Sequence, residues 1–163
     1  MIEIVIPNFG DISIYRDKIL ILFVKRSVDL KGKVTCEYYY ENELFLQTVS
    51  YKAIFWKLKI DNLTQDFKIK EIRNNGFEFF KSEYEINNNI VKVKDNPLYF
   101  LNKRMSTMFF NNSKIATVIL KNNFGVGKSG SFTQIVNFTT SEENIIQQCL
   151  ICYAISCNIL NAG

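Results

Sequence analysis

Histidine is absent from the 163 residues, and proline and glycine are scarce, with two and seven copies. Without histidine this chain cannot supply a Ser-His-Asp or Cys-His catalytic arrangement or a histidine-bound metal. The scarcity of proline and glycine excludes the composition of a low-complexity or disordered chain. We therefore expect a globular protein with no catalytic constellation of a recognisable kind, no metal site and no cofactor.

Long apolar runs and targeting signals are also missing. The first five residues, Met1 to Val5, show no basic segment followed by an apolar stretch, so no signal peptide is predicted. The most apolar run, Cys149 to Cys157, is about half as long as a membrane crossing requires. We expect one domain over residues 1–163, a cytoplasmic location and no transmembrane segment.

The charge is modest, with 20 basic and 16 acidic residues and a net charge of +4. A dedicated nucleic-acid binder would concentrate a larger excess, so no nucleic-acid partner is expected. The balance permits an anionic membrane lipid, or a protein, as the partner.

Short alternating segments separated by turn residues dominate residues 1 to about 138 and predict β-strands. Aromatic residues, which favour strands, make up 14% of the chain. The predicted segments are Ile2–Ile6, Ile12–Tyr15, Ile19–Lys25, Val34–Tyr40, Leu44–Val49, Ala53–Ile60, Phe67–Arg73, Phe77–Phe80, Ser82–Ile86, Ile90–Lys94, Leu98–Leu101, Ser106–Phe110, Lys114–Leu120 and Ser131–Phe138. Neighbouring segments in this set can merge into one strand.

Asparagine pairs fall between several of these segments and predict tight turns, because asparagine tolerates the left-handed backbone that hairpins need. The pairs are at residues 74–75, 87–89, 111–112 and 122–123. The only tryptophan, Trp56, is expected to pack in the core.

The periodicity changes near residue 139 and predicts a helix from about 141 to 160. Thr140 and Glu143 have the spacing of a capping box. Beyond Cys149 the helix is apolar on all sides, so it must be surrounded on all sides. We expect strands to bury Cys149, Ile151, Cys152 and Ile155.

Two motifs in this region suggest chemistry but have structural explanations. The Cys149-Leu150-Ile151-Cys152 motif lies inside an apolar helix, where a thiolate is disfavoured, so we expect packing rather than redox chemistry. The string from Gly125 to Gly130 imitates a phosphate-binding loop. It precedes the strand pattern 131–138 rather than a helix, so we expect a hairpin turn.

A helix buried on every face in a β protein implies a closed barrel around it. The order of a strand, an Asn-rich turn and a strand over Met108 to Leu120, a Gly-rich turn and a strand over Gly125 to Phe138, and a capped apolar helix resembles the tubby-like superfamily, particularly its LURP-one-related members. The resemblance implies a mainly β fold, a closed antiparallel barrel of about 12 strands around a central C-terminal hydrophobic helix. The chain lacks an acidic calcium-binding segment and a cysteine-rich palmitoylation region, so scramblase activity, known among proteins of this fold, is not expected.

Function is left with three alternatives. Tubby domains proper bind phosphoinositide head groups, so the resemblance implies a non-enzymatic domain that binds anionic lipid or phosphoinositide. The lysines that could bind it on an outer face are Lys57, Lys59, Lys68, Lys70, Lys92, Lys94 and Lys128. A structural or protein-interaction domain would instead use such lysines only for solubility. An enzyme would need paired carboxylates such as Glu83 with Glu85, or Glu41 with Glu43.

Overall fold

The backbone of the computed structural model is described for residues 1–7, 10–51, 57–72, 80–121 and 131–160. Within these ranges it forms twelve strands, a one-turn helix and a long C-terminal helix. The elements are β1 (Ile2–Pro7), β2 (Ile12–Arg16), β3 (Ile19–Val28), β4 (Lys33–Tyr40), β5 (Glu43–Tyr51), β6 (Lys57–Asn62), β7 (Ile69–Glu71), β8 (Lys81–Ile86), β9 (Asn89–Asp95), α1 (Tyr99–Asn102), β10 (Arg104–Phe110), β11 (Ser113–Leu120), β12 (Ser131–Phe138) and α2 (Glu143–Leu160).

All twelve strands belong to one antiparallel sheet in the order β6-β5-β4-β3-β2-β1-β12-β11-β10-β9-β8-β7. Each strand pairs with its neighbour in the chain, except at β6–β7, and β1 pairs with β12 along its whole length. Among the described strands, the seam between β6 and β7 is the one that lacks ladder pairing, so the barrel is nearly closed. The predicted mainly β barrel of about 12 strands is confirmed.

Helix α2 is buried on every face. Ten consecutive residues, Gln148 to Cys157, are each at most 5% exposed, and ten residues make nearly three turns. Cys149, Ile151, Cys152 and Ile155 are 0% exposed, as predicted. The strands supply the surrounding side chains, because every second residue of strands such as β1 and β9 faces the core.

The helix begins at Glu143, two residues later than predicted, and the capping-box prediction is wrong. The Thr140 hydroxyl accepts a hydrogen bond from the backbone N–H of Glu142, 3.1 Å away, which forms a turn ahead of the helix. The Glu143 carboxylate accepts hydrogen bonds from the Arg16 guanidinium at 2.6 and 2.7 Å. Its side chain therefore ties the helix to β2 rather than capping it.

The two ends of the barrel differ in their connections. At one end, called the turn end, four hairpins have two-residue turns with positive φ at both residues, the type I′ geometry that matches strand twist. These turns are Asp17-Lys18, Glu41-Asn42, Asn87-Asn88 and Asn111-Asn112. Two of them are predicted asparagine pairs. At the opposite end, called the loop end, the odd-numbered strands finish and the even-numbered strands begin.

The predicted strand Leu98–Leu101 is wrong, because α1 begins at Tyr99. Asn96 accepts a hydrogen bond from the backbone N–H of Leu98 and donates to the carbonyl of Arg104, so its side chain closes the connection locally. A four-residue apolar run carries no periodicity that separates a strand from a helical turn. The predicted strand Phe67–Arg73 shrinks to β7. The predictions for Trp56, for residues 74–75, for most of Phe77–Phe80, and for the turns at 122–123 and 125–130 lie outside the described residues.

A single side chain bridges the seam between β6 and β7. The Asn62 amide accepts a hydrogen bond from the backbone N–H of Ile69 at 2.9 Å and donates to its carbonyl at 3.0 Å. These two bonds have the pattern of one rung of a β-ladder. Asn62 therefore continues the barrel where backbone pairing stops.

We expect Asn62→Ala to lower the free energy of unfolding by about 1–2 kcal/mol, because it leaves both polar groups of Ile69 without their partner. Urea denaturation measures the loss. Asn137→Ala, an exposed asparagine of β12, is the matched control and should change the value by less than about 0.5 kcal/mol. Equal effects of the two substitutions would contradict the bridging role.

Candidate functional site

The predicted lipid-binding lysines lie on neighbouring strands. Lys59 is in β6, Lys70 in β7, and Lys92 and Lys94 in β9. Because β6 and β7 meet at the seam and β8 joins β7 to β9, these four belong to one side of the barrel. Lys57 is also in β6, but its side chain is outside the described residues, as is the whole of Lys128.

Carboxylates neutralise part of this lysine-bearing side. Lys59 pairs with Asp61 at 3.0 Å, and Glu83 lies 3.6 Å from Lys81 and 3.3 Å from Lys92. The Lys94 ammonium instead lies over the ring of Phe109, 5.3 Å from its centroid. The predicted lysines therefore differ, and Lys94 is the one in β9 that has an aromatic rather than a carboxylate neighbour.

Lys68 and Lys70 line a separate polar depression of about 670 Å³ beside the seam. Asp66 and Glu85 line the same depression. Its cations are thus matched by carboxylates, which is the composition of a solvated surface rather than of an anion site.

The carboxylate pairs considered for an enzyme are not brought together in a cavity. Glu83 lies between Lys81 and Lys92 on the outside of β8. Glu85 lies in the shallow depression described above. Glu41 occupies a type I′ turn with φ 49°, and Glu43 is exposed at the start of β5.

A surface that the sequence did not single out lies at the loop end of β8, β9 and β10. It combines large exposed apolar side chains with cationic side chains, all of them exposed except the half-buried Lys81, and we call it the basic-apolar rim. Its members are Phe80, Lys81, Lys94, Leu98, Phe100, Leu101, Lys103 and Arg104. Phe100 is 63% exposed and Leu101 71%, and adjoining exposed apolar side chains rimmed by polar groups are typical of interaction surfaces.

Two cations of the rim lie opposite each other in the sheet, and three rim cations lack a carboxylate partner in the described part of the chain, whereas Lys81 pairs with Glu83. Lys81 and Lys94 are directly opposite each other on β8 and β9, an arrangement in which like charges repel. Among the described residues, no carboxylate is within ion-pair distance of Lys94, Lys103 or Arg104. A count of charge by segment could have found the rim, because no Asp or Glu occurs from residue 96 to 141, where five basic residues do.

A cavity of about 210 Å³ lies inside the loop end, next to the C-terminal part of α2. Its walls come from β1, β9, β10, β12 and α2, and include Ile6, Met105 and Cys157. The cavity also contains polar groups that are otherwise rare in this core, among them Asp95, Ser106 and Gln134.

Hydrogen bonds organise these polar groups. Ser106 donates to Oδ1 of Asp95 at 2.7 Å, and the Tyr153 hydroxyl donates to Oε1 of Gln134 at 2.8 Å. Burial raises the pKa of the Asp95 carboxyl above its ordinary value, against the opposing effect of the Ser106 bond. Burial also raises the pKa of the Tyr153 hydroxyl, and Asp95 adds to that rise.

The cysteines of α2 are suited to packing rather than to nucleophilic chemistry. Cys149, Cys152 and Cys157 are free thiols buried in the core. Burial raises the pKa of Cys149 and of Cys157 to about 12, so the thiolate form is suppressed at neutral pH. Within the described residues, neither helix has the length and apolarity that a membrane crossing requires.

The raised pKa of Asp95 predicts a pH-dependent effect of Asp95→Asn. Between the unfolded pKa, near 3.8, and the higher folded pKa, the folded state binds more protons. Asp95 therefore makes the protein lose stability as pH rises through that window. Asn cannot titrate and keeps an oxygen for Ser106, so the stability of the variant relative to wild type should increase from pH 3 to pH 7. Urea denaturation at the two pH values measures it, and a constant or shrinking difference would contradict the burial of this charge.

Comparison of the chain with protein-family models, with curated proteins and with solved structures found no match.

Proposed function

We propose that this chain is a non-enzymatic, tubby-like binding domain that docks on anionic membrane surfaces through the basic-apolar rim. The observation that carries the proposal is the concentration of exposed apolar side chains beside uncompensated cations at the loop end. The barrel with a buried core helix is consistent with the tubby-like resemblance, which implies lipid binding without catalysis.

The chemistry of the rim matches that of a bilayer interface. Phe100 and Leu101 can enter the boundary between head groups and acyl chains, which stabilises the bound state by removing apolar area from water. Lys94, Lys103 and Arg104 can then face the phosphates, each contributing about 1 kcal/mol near an anionic surface. The lysine-bearing side of β6–β9 continues from the rim through Lys92 and Lys94 and would add weaker, longer-range attraction.

The seven predicted lysines differ in what they can contribute to docking through the rim. Lys94 belongs to the rim and is expected to contribute directly. Lys59 and Lys92 are paired with carboxylates, so their charges are already partly compensated. Lys68 and Lys70 share their depression with Asp66 and Glu85, at the opposite end of the barrel.

Flotation with phosphatidylcholine vesicles containing phosphatidylserine, at low and high salt, tests the proposal. We expect wild-type protein to float with anionic vesicles at low salt, less at high salt, and not with neutral vesicles. Lys94→Glu/Arg104→Glu should weaken binding at least tenfold, because two attractive charges become repulsive. Phe100→Ser/Leu101→Ser should weaken vesicle binding at both salt concentrations, because the lost apolar contact is not screened by salt.

Matched controls come from the turn end. Lys18→Glu/Lys114→Glu makes the same charge change at exposed positions. Ile19→Ser/Leu20→Ser removes exposed apolar side chains of similar size, since Ile19 is 70% and Leu20 41% exposed. Both controls should bind the vesicles more strongly than the corresponding rim variants. Absence of wild-type flotation at low salt, or equal losses in rim and control variants, would refute rim docking and leave the structural or protein-interaction alternative.

A further inference from the structure

The cavity at the loop end is large enough for a small organic molecule. Its volume of about 210 Å³ exceeds the roughly 150 Å³ of an engineered apolar cavity that binds benzene. A six-membered ring with a short polar substituent therefore fits in volume. The cavity lies beside the rim and shares Phe80 with it. The other exposed rim residues, Phe100, Leu101, Lys103 and Arg104, do not line it.

The walls are mostly apolar and partly aromatic. Ile6, Pro97 and Met105 provide aliphatic surface, and Phe80 and Tyr99 provide rings. Such walls favour an apolar body, because water molecules next to them would lack hydrogen-bond partners.

The described residues that line the cavity carry negative charge and no positive charge. Asp95 is the carboxyl among the described lining residues, and none of those residues is a lysine or an arginine. The Ser106 hydroxyl donates a hydrogen bond to one carboxylate oxygen of Asp95. The other oxygen has no hydrogen-bond partner among the described residues. A cation would therefore be the complementary group at this position.

Gln134 supplies a second polar group without a full set of partners. Its side chain is buried, with the residue 4% exposed. Tyr153 pairs with one end of the amide, and the other end has no partner in the described part of the chain. The Tyr153 hydroxyl can donate to Oε1, as it does here, or accept from Nε2. In the second arrangement Oε1 is free to accept a hydrogen bond from a ligand.

We propose that this cavity binds a small organic amine, with its ammonium group on Asp95 and its apolar body against Ile6, Phe80 and Met105. The ammonium donates to the free oxygen of Asp95, and a second N–H can reach the Gln134 amide. Phe80 and Tyr99 add cation–π attraction where their ring faces approach the charge. The cavity shares Phe80 with the membrane-docking rim, but binding of an amine inside it does not depend on lipid binding.

Benzylamine, benzyl alcohol and benzoate are probes of nearly equal size that carry a cation, a neutral hydroxyl and an anion. Calorimetric titration of the wild-type protein at pH 7 measures their affinities. Backbone amide chemical shifts locate the binding. We expect benzylamine to bind with a dissociation constant on the order of a millimolar or below, at least tenfold tighter than benzyl alcohol, and benzoate not to bind. The shifted amides should include those of Asp95, Ser106 and Gln134.

Asp95→Asn retains the shape of the site and removes its charge. The substitution should weaken the binding of benzylamine at least tenfold and change the affinity for benzyl alcohol by no more than about twofold. General damage to the cavity would instead weaken the binding of both probes. If the variant does not fold, the relative affinities of the three probes for the wild-type protein still test the proposal. Equal affinity for amine and alcohol, no binding by benzylamine, or shifts confined to the outer carboxylates Glu83 and Glu85 would each overturn the proposal. Failure of vesicle flotation would leave it intact.

Discussion

An α-helix that is apolar on every face is stable in water only where other parts of the chain surround it, and the whole fold follows from that constraint. The ten buried residues of α2 require a closed wall of strands, and twelve strands supply one. The wall closes because β1 pairs with β12, and Asn62 bridges the seam that backbone pairing leaves open. The helix in turn fills an interior that the strands alone would leave empty.

The same constraint makes the two ends of the barrel unequal. α2 enters at the turn end, where short type I′ turns hold the strands in register. At the loop end Ser156 and Cys157 of α2 line a cavity, so the core there is less completely packed. The cavity around Asp95 and the basic-apolar rim both lie at this end. Both proposals therefore place recognition at this end of the barrel. The rim lies on the β9–β10 connection and the adjoining strand ends, and the cavity lies between strand ends and α2.

Local patterns predicted most of the architecture. The alternation of apolar and polar residues predicted most strands to within a few residues, and the asparagine pairs at 87–88 and 111–112 predicted two turns. The start of α2 was misplaced because Glu143 pairs with Arg16, 127 residues away, and no local spacing encodes such a partner. The strand predicted at Leu98–Leu101 failed because Asn96 closes that loop through side-chain bonds. The grouping of the lysines on one side of the barrel, the rim and the cavity all depend on register between distant strands, which sequence periodicity does not contain.

Native-state hydrogen exchange tests the enclosure of α2 most directly. If strands surround the helix on all faces, the amides from Cys149 to Cys157 can exchange only when the barrel opens. Their opening free energies should then equal the free energy of global unfolding measured with urea. Helix amides that exchange at clearly lower free energy, while the amides of β1 and β12 stay protected, would show that α2 detaches from an intact barrel. That result would contradict the account.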